Sequence, residues 1–88
     1  MRKGYIMNWT RRPEPDSHLD DFRFCEVAKD AAFYTDRVIA ENDCTMLNRG
    51  IIVSVPSEQG GKYVIRDFGV EEREPGTWVI FCHGPFEY

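Results

Sequence analysis

The chain has 88 residues, with 11 Lys+Arg against 15 Asp+Glu for a formal net charge of −4, and 42% of it is hydrophobic. That length holds one domain, residues 1–88, and excludes a catalytic domain paired with a regulatory one; folding at this size buries only about 60–65% of the unfolded chain's surface, leaving little room for an enclosed cofactor cavity. The apolar fraction is too high for a disordered chain, and the negative charge argues against nonspecific binding to phosphate backbones or anionic lipid.

Tyr5, Met7 and Trp9 alternate with Ile6 and Asn8, which predicts a first strand from about 4 to 10. The two prolines and polar residues of the stretch 11–21 read as a surface loop within the domain. Phe22-Arg23-Phe24-Cys25-Glu26-Val27 alternates again and predicts a second strand, with Phe22 and Phe24 on one face and Arg23, Cys25 and Val27 on the other. From Ala28 the period changes to that of a helix over about 29 to 42, whose apolar side is Ala28, Ala31, Tyr34, Thr35, Val38 and Ile39. Asp30 complements the positive end of that helix, and Asn42 and Asp43 suit its C-terminal end. Phe33 falls outside the apolar stripe, beside Lys29 and Asp36, on the side facing solvent or under the loop 11–20.

Three further strands are predicted at 51–55, 62–68 and 77–82, rich in β-branched and aromatic residues. Ser57-Glu58-Gln59-Gly60-Gly61 and Glu74-Pro75-Gly76 separate them as turns, so the three read as an antiparallel meander. The expectation is an α+β fold of order ββαβββ: a single helix packed on one face of an antiparallel sheet, with the other face largely wet. Strands one and two either form a hairpin or flank the meander.

Residues 1–12 carry four basic groups and no acid, whereas the remaining 76 carry 7 basic and 15 acidic groups, so a +4 segment precedes a −8 body. The carboxylates fall into local sets in the loop, along the helix, at Asp67, and at Glu71, Glu72 and Glu74 before the last turn. Such scattering suits either a solvated surface or a face that meets a Lys/Arg groove as duplex phosphates would.

Chemistry-bearing motifs are sparse. Cys25, Cys44 and Cys82 are an odd number at wide spacings, with no Cys-x-x-Cys pair, which fits buried or idle thiols better than disulfides or zinc. Cys82 and His83 are adjacent on a strand and point to opposite faces, so a buried Cys82 beside a rim His83 is expected, with no metal and no cofactor. No glycine elbow or helix N-terminus supports a Cys or Ser nucleophile, and Gly60-Gly61 leads into a strand rather than a phosphate-binding helix. The N-terminal stretch lacks the apolar core of a signal peptide, and no apolar run approaches the roughly 20 residues of a membrane span, so a cytoplasmic protein is expected.

The segment Val27-Ala28-Lys29-Asp30-Ala31-Ala32-Phe33-Tyr34, followed by Asp36-Arg37, Ala40-Glu41-Asn42-Asp43 and a strand meander, resembles the layout of small phage-encoded anti-CRISPR inhibitors. That resemblance implies a non-enzymatic protein that binds a CRISPR-Cas effector complex in the host cytoplasm and blocks target-DNA loading or nuclease recruitment. The expected contact residues are Asp20, Asp21, Asp30, Phe33, Asp36, Glu71, Glu72 and Glu74, docked on the basic nucleic-acid channel of a Cas subunit with Phe33 as an aromatic anchor. Direct contact with nucleic acid or membrane is not expected. The alternative is a small interaction subunit that uses its open sheet face for a partner or for a homodimer.

Overall fold

The computed structural model describes residues 2–9, 22–49, 51–54, 62–84 and 86, with the strands at 51–54 and 62–65 described by their backbone. In chain order they form β1 (Arg2–Trp9), β2 (Phe22–Cys25), a 3-10 turn (Ala28–Asp30), α1 (Arg37–Leu47), β3 (Ile51–Ser54), β4 (Lys62–Ile65), β5 (Gly69–Glu74) and β6 (Thr77–Gly84). The fold is α+β. Its main sheet is antiparallel in the order β2-β1-β6-β5, and β3 pairs with β4 as a separate two-stranded sheet.

The expected meander is thus divided. The strand before the last one is Gly69–Glu74, which the sequence offers as an acidic approach to a turn, and β4 pairs with β3. Pro75 and Gly76 close the β5–β6 hairpin; Gly76 has φ +83°, a left-handed value that a residue with a Cβ adopts at a cost, and Pro before Gly is the type II arrangement. β1 pairs with both β2 and β6, so the first two strands are hydrogen-bonded neighbours and β1 alone joins them to the last strand.

Alternation along β6 separates two faces. Ile80 and Cys82 point to the near face, where they pack with Ile6, Phe22, Cys44, Leu47 and Phe68 beneath α1; Val79 and Phe81 point to the far face, with Tyr5 and Ala31. Phe22 and Phe24 share the near face, as their spacing predicts. A bulge in β1 between Ile6 and Asn8 inserts Met7 and resets the alternation. Trp9 therefore joins Ile6 on the near face, and Tyr5 and Trp9, two residues of one expected stripe, lie on opposite sides.

The helix starts eight residues later than the apolar wheel suggests. Asp36 is its N-cap, its carboxylate accepting from the Val38 N–H at 2.9 Å and the Ile39 N–H at 3.4 Å. The buried stripe is Ala40, Asp43, Cys44 and Leu47, at the i, i+3, i+4, i+7 spacing, while Val38 and Ile39 are 62% and 43% exposed. Asn42 and Asp43 lie inside the helix, not at its end. Asp43 is buried on the near face and accepts a 2.7 Å hydrogen bond from the Tyr34 hydroxyl, which offsets the desolvation of its carboxylate. Asn48 caps the C-terminus and clamps Phe68: its side-chain amide donates to the Phe68 carbonyl at 2.9 Å and accepts from the Phe68 N–H at 2.8 Å.

Residues 31–34, expected within the helix, are instead an insertion between diverging strands. The Ala32 N–H donates to the Ile6 carbonyl at 2.9 Å, and Tyr34 and Trp78 exchange both backbone hydrogen bonds at 2.8 and 2.9 Å. Where β1 and β6 separate, this segment fills the gap and satisfies backbone groups that would otherwise be orphaned.

Candidate binding surface

The strand-like insertion of 31–34 decides where Phe33 goes. Tyr34 faces the near side, stacked on Trp9 with centroids 6.2 Å apart, so Phe33 projects to the far side. It is 58% exposed and lies under the Arg73 guanidinium, whose carbon is 4.9 Å from the ring centroid. Arg73 also donates to the Lys29 carbonyl and to Glu74, each at 3.4 Å. Phe33 is therefore exposed because an extended segment presents it, not because it lies on the outer side of a helix.

A second cation sits over aromatics on the same face. Lys3 Nζ lies 4.4 Å from the Phe81 centroid and 5.1 Å from that of Tyr5, and donates to Glu71 Oε1 at 2.9 Å. The Tyr5 hydroxyl donates to Glu71 Oε2 at 2.9 Å. The bond from Lys3 holds Glu71 below the ordinary carboxylate range, and the same bond raises Lys3. Gly69 makes the arrangement possible, because a Cβ there would stand 2.6 Å from the Phe81 ring. At the end of this face His83 Nδ1 is 2.8 Å from an Asp67 carboxylate oxygen, and the His83 N–H donates to the other at 3.3 Å.

The expected contact residues do not share one surface. Glu71 is on the far face, bonded to Lys3 and Tyr5, and Glu72 points the other way toward α1. Glu74 is exposed beside Arg73, and Asp36 spends its carboxylate on the helix cap. Asp30 is exposed at the end of the 3-10 turn, near Phe33 in sequence, while Asp20 and Asp21 lie outside the described residues. Within the described segments the sequence has nine basic and nine acidic side chains, so the net −4 belongs entirely to the rest of the chain, chiefly Glu14, Asp16, Asp20 and Asp21.

Cys82 is fully buried on the near face and its thiol is pushed up to about 12, first by burial and then by the charge of Asp67. Burial also raises Cys44 and Cys25, and none of the three cysteines forms a disulfide. His83, next to Cys82, is exposed on the far face. Among the described residues no three His, Cys, Asp or Glu side chains are grouped as metal ligands, and no helix is long and apolar enough to cross a membrane.

No family model, curated protein or solved structure matches this chain.

The residues that sequence reasoning missed are Arg73 and Lys3. Their partners lie 40 and 68 positions away, and each contact depends on strand pairing that no local spacing encodes. The Phe81–Gly69 pairing had a faint signal, a glycine opening an acidic stretch after Phe68.

Proposed function

We propose that this chain is a non-enzymatic, protein-binding inhibitor whose contact surface is the far face of the four-stranded sheet, centred on Phe33. The observation that carries the reading is a large exposed aromatic fixed in place before any partner arrives. Tyr34 and Ala32 anchor its backbone on both sides, and Arg73 restrains its ring. A preorganised aromatic in a charged surround is what an interface hot spot needs, because little side-chain freedom is lost on binding. The resemblance to anti-CRISPR inhibitors suggests the partner, a Cas effector subunit with a basic nucleic-acid channel, and the host cytoplasm as the place of action. In this reading the acidic residues around 14–21 steer the approach to that channel and Phe33 sets the lifetime of the complex.

A photo-cross-linking residue at position 33, used in cells that carry diverse defence systems and followed by mass spectrometry, tests the reading. The expected result is one dominant adduct, absent when the probe is moved to exposed Thr45 on α1, and a complex that Phe33→Ala abolishes while the melting temperature stays within about 2 °C. Retention of the partner by Phe33→Ala removes Phe33 as the anchor. An association rate that hardly changes between low and high salt removes the steering by carboxylates.

The exposed ring on a face that α1 leaves open also favours association of two copies through that face. Size-exclusion chromatography over a wide dilution range separates this from a monomeric inhibitor, since a dimer elutes later as it is diluted.

A further inference from the structure

On the near face, away from Phe33, α1 and the β5–β6 hairpin leave an open cleft of about 180 Å³ lined by Arg37, Glu41, Val70, Glu72 and Trp78. Strand pairing places Glu72 directly across from Trp78, and helical spacing places Arg37 and Glu41 one turn apart facing them. Arg37 Nε donates to Glu41 Oε1 at 2.9 Å. Glu72, in contrast, is exposed and has no hydrogen-bond or ion-pair partner among the described residues. The cleft therefore holds two carboxylates against one guanidinium, bordered by an indole.

We propose that this cleft binds the guanidinium of an arginine side chain contributed by a protein partner. An indole is the best aromatic partner for a cation, and a planar guanidinium presents paired N–H groups that match a carboxylate, which a compact ammonium does not. The cleft already holds one such pair in Arg37–Glu41, and an incoming guanidinium supplies the missing charge for Glu72. Its volume is below the roughly 300–1,000 Å³ of sites that enclose whole small molecules, and suits the end of one side chain. An anion entering here meets two carboxylates. The helix N-terminus beside the cleft does not reverse this preference, because Asp36 already accepts from the Val38 and Ile39 N–H groups.

The test is an NMR titration of the 15N-labelled protein with ethylguanidinium, with ethylammonium and acetate as separate arms at constant ionic strength. The expected result is a saturable shift of the Trp78 indole N–H and the Glu72 amide with ethylguanidinium, weaker with ethylammonium and absent with acetate. Glu72→Gln should weaken the apparent affinity about 3-fold or more. Arg37→Gln should tighten it, because the internal competitor is gone and Glu41 is released; a merely structural cleft would not respond in that direction. Both positions are exposed, so an unchanged melting temperature verifies that the variants fold. A shift that acetate reproduces, an affinity unmoved by Glu72→Gln, or a weaker affinity in Arg37→Gln overturns the proposal. Phe33→Ala should titrate like the parent chain, so the result is independent of the function proposed for the far face.

Discussion

The two faces of the main sheet are built from the same strands and held by different physics. On the near face Ile6, Cys82, Ile80 and Leu47 are almost entirely removed from water beneath α1, and cohesion there comes from apolar area and close packing. On the far face the buried layer among the described residues is Tyr5, Ala31 and Val79, and above it lies a surface of rings and charges, Phe81 under Lys3 and Phe33 under Arg73. The first face holds the packed core and the second displays the exposed rings, so a change that weakens one should leave the other largely intact.

The sharpest way to break that contrast is to cut the near-face core. Leu47→Ala removes a fully buried side chain and should cost about 2–5 kcal/mol in urea denaturation, a large fraction of what so small a domain possesses. If the loss is below about 1 kcal/mol, the near face is not the core. Gly69→Ala tests how tightly the far face is built. The new methyl must displace the Phe81 ring, at about 1–3 kcal/mol, and combining it with Phe81→Ala should recover most of that loss in a double-mutant cycle. Simple additivity would show that the ring is free to move aside.

Tyr34→Phe withdraws the hydroxyl from buried Asp43 and should destabilise by about 1–2 kcal/mol, read from the shift of the denaturation midpoint. The smallest effect concerns Lys3 and Glu71, which are both more than a third exposed at their side chains and so contribute within about 1 kcal/mol. Because Glu71 is depressed, the stability it adds is fully present above the usual glutamate range of about pH 4–5 and fades as the pH falls through its lowered value. Because Lys3 is raised, the same pair persists at alkaline pH until the lysine titrates above its ordinary value. The stability gap between the parent chain and Glu71→Gln should therefore be flat near neutrality and close below about pH 4. A gap that widens in acid would contradict the pairing.

Where side-chain period and burial agree, the fold was legible in the sequence. Phe22 and Phe24 share a face because the alternation in β2 is unbroken, and the β6 run of Trp78 to Cys82 is β-branched and aromatic. The helix was placed too early because a charged residue, Asp43, occupies a buried position of its true stripe, while Val38 and Ile39 suggested an apolar side that is in fact exposed. β5 escaped notice because Val-Glu-Glu-Arg-Glu has little intrinsic strand preference. Its conformation is imposed by pairing with β6, and its charges suit an edge that must not pair with another chain. Sequence left Phe33 either exposed or under the loop 11–20, and the cation above it was not legible, since Arg73 reaches it only through the closed sheet.

The insertion at residues 31–34 alters what kind of site Phe33 occupies. A recognition residue on a hinged loop exchanges its amide protons quickly and can be cut by proteases without unfolding the domain. Here the amides of Ala32, Tyr34 and Trp78 are hydrogen-bonded between the segment and the two central strands, so they should exchange only when the segment lifts away from β1 and β6. Bending Phe33 to another shape must strain the sheet itself, so in the proposed reading the chain selects partners that already fit.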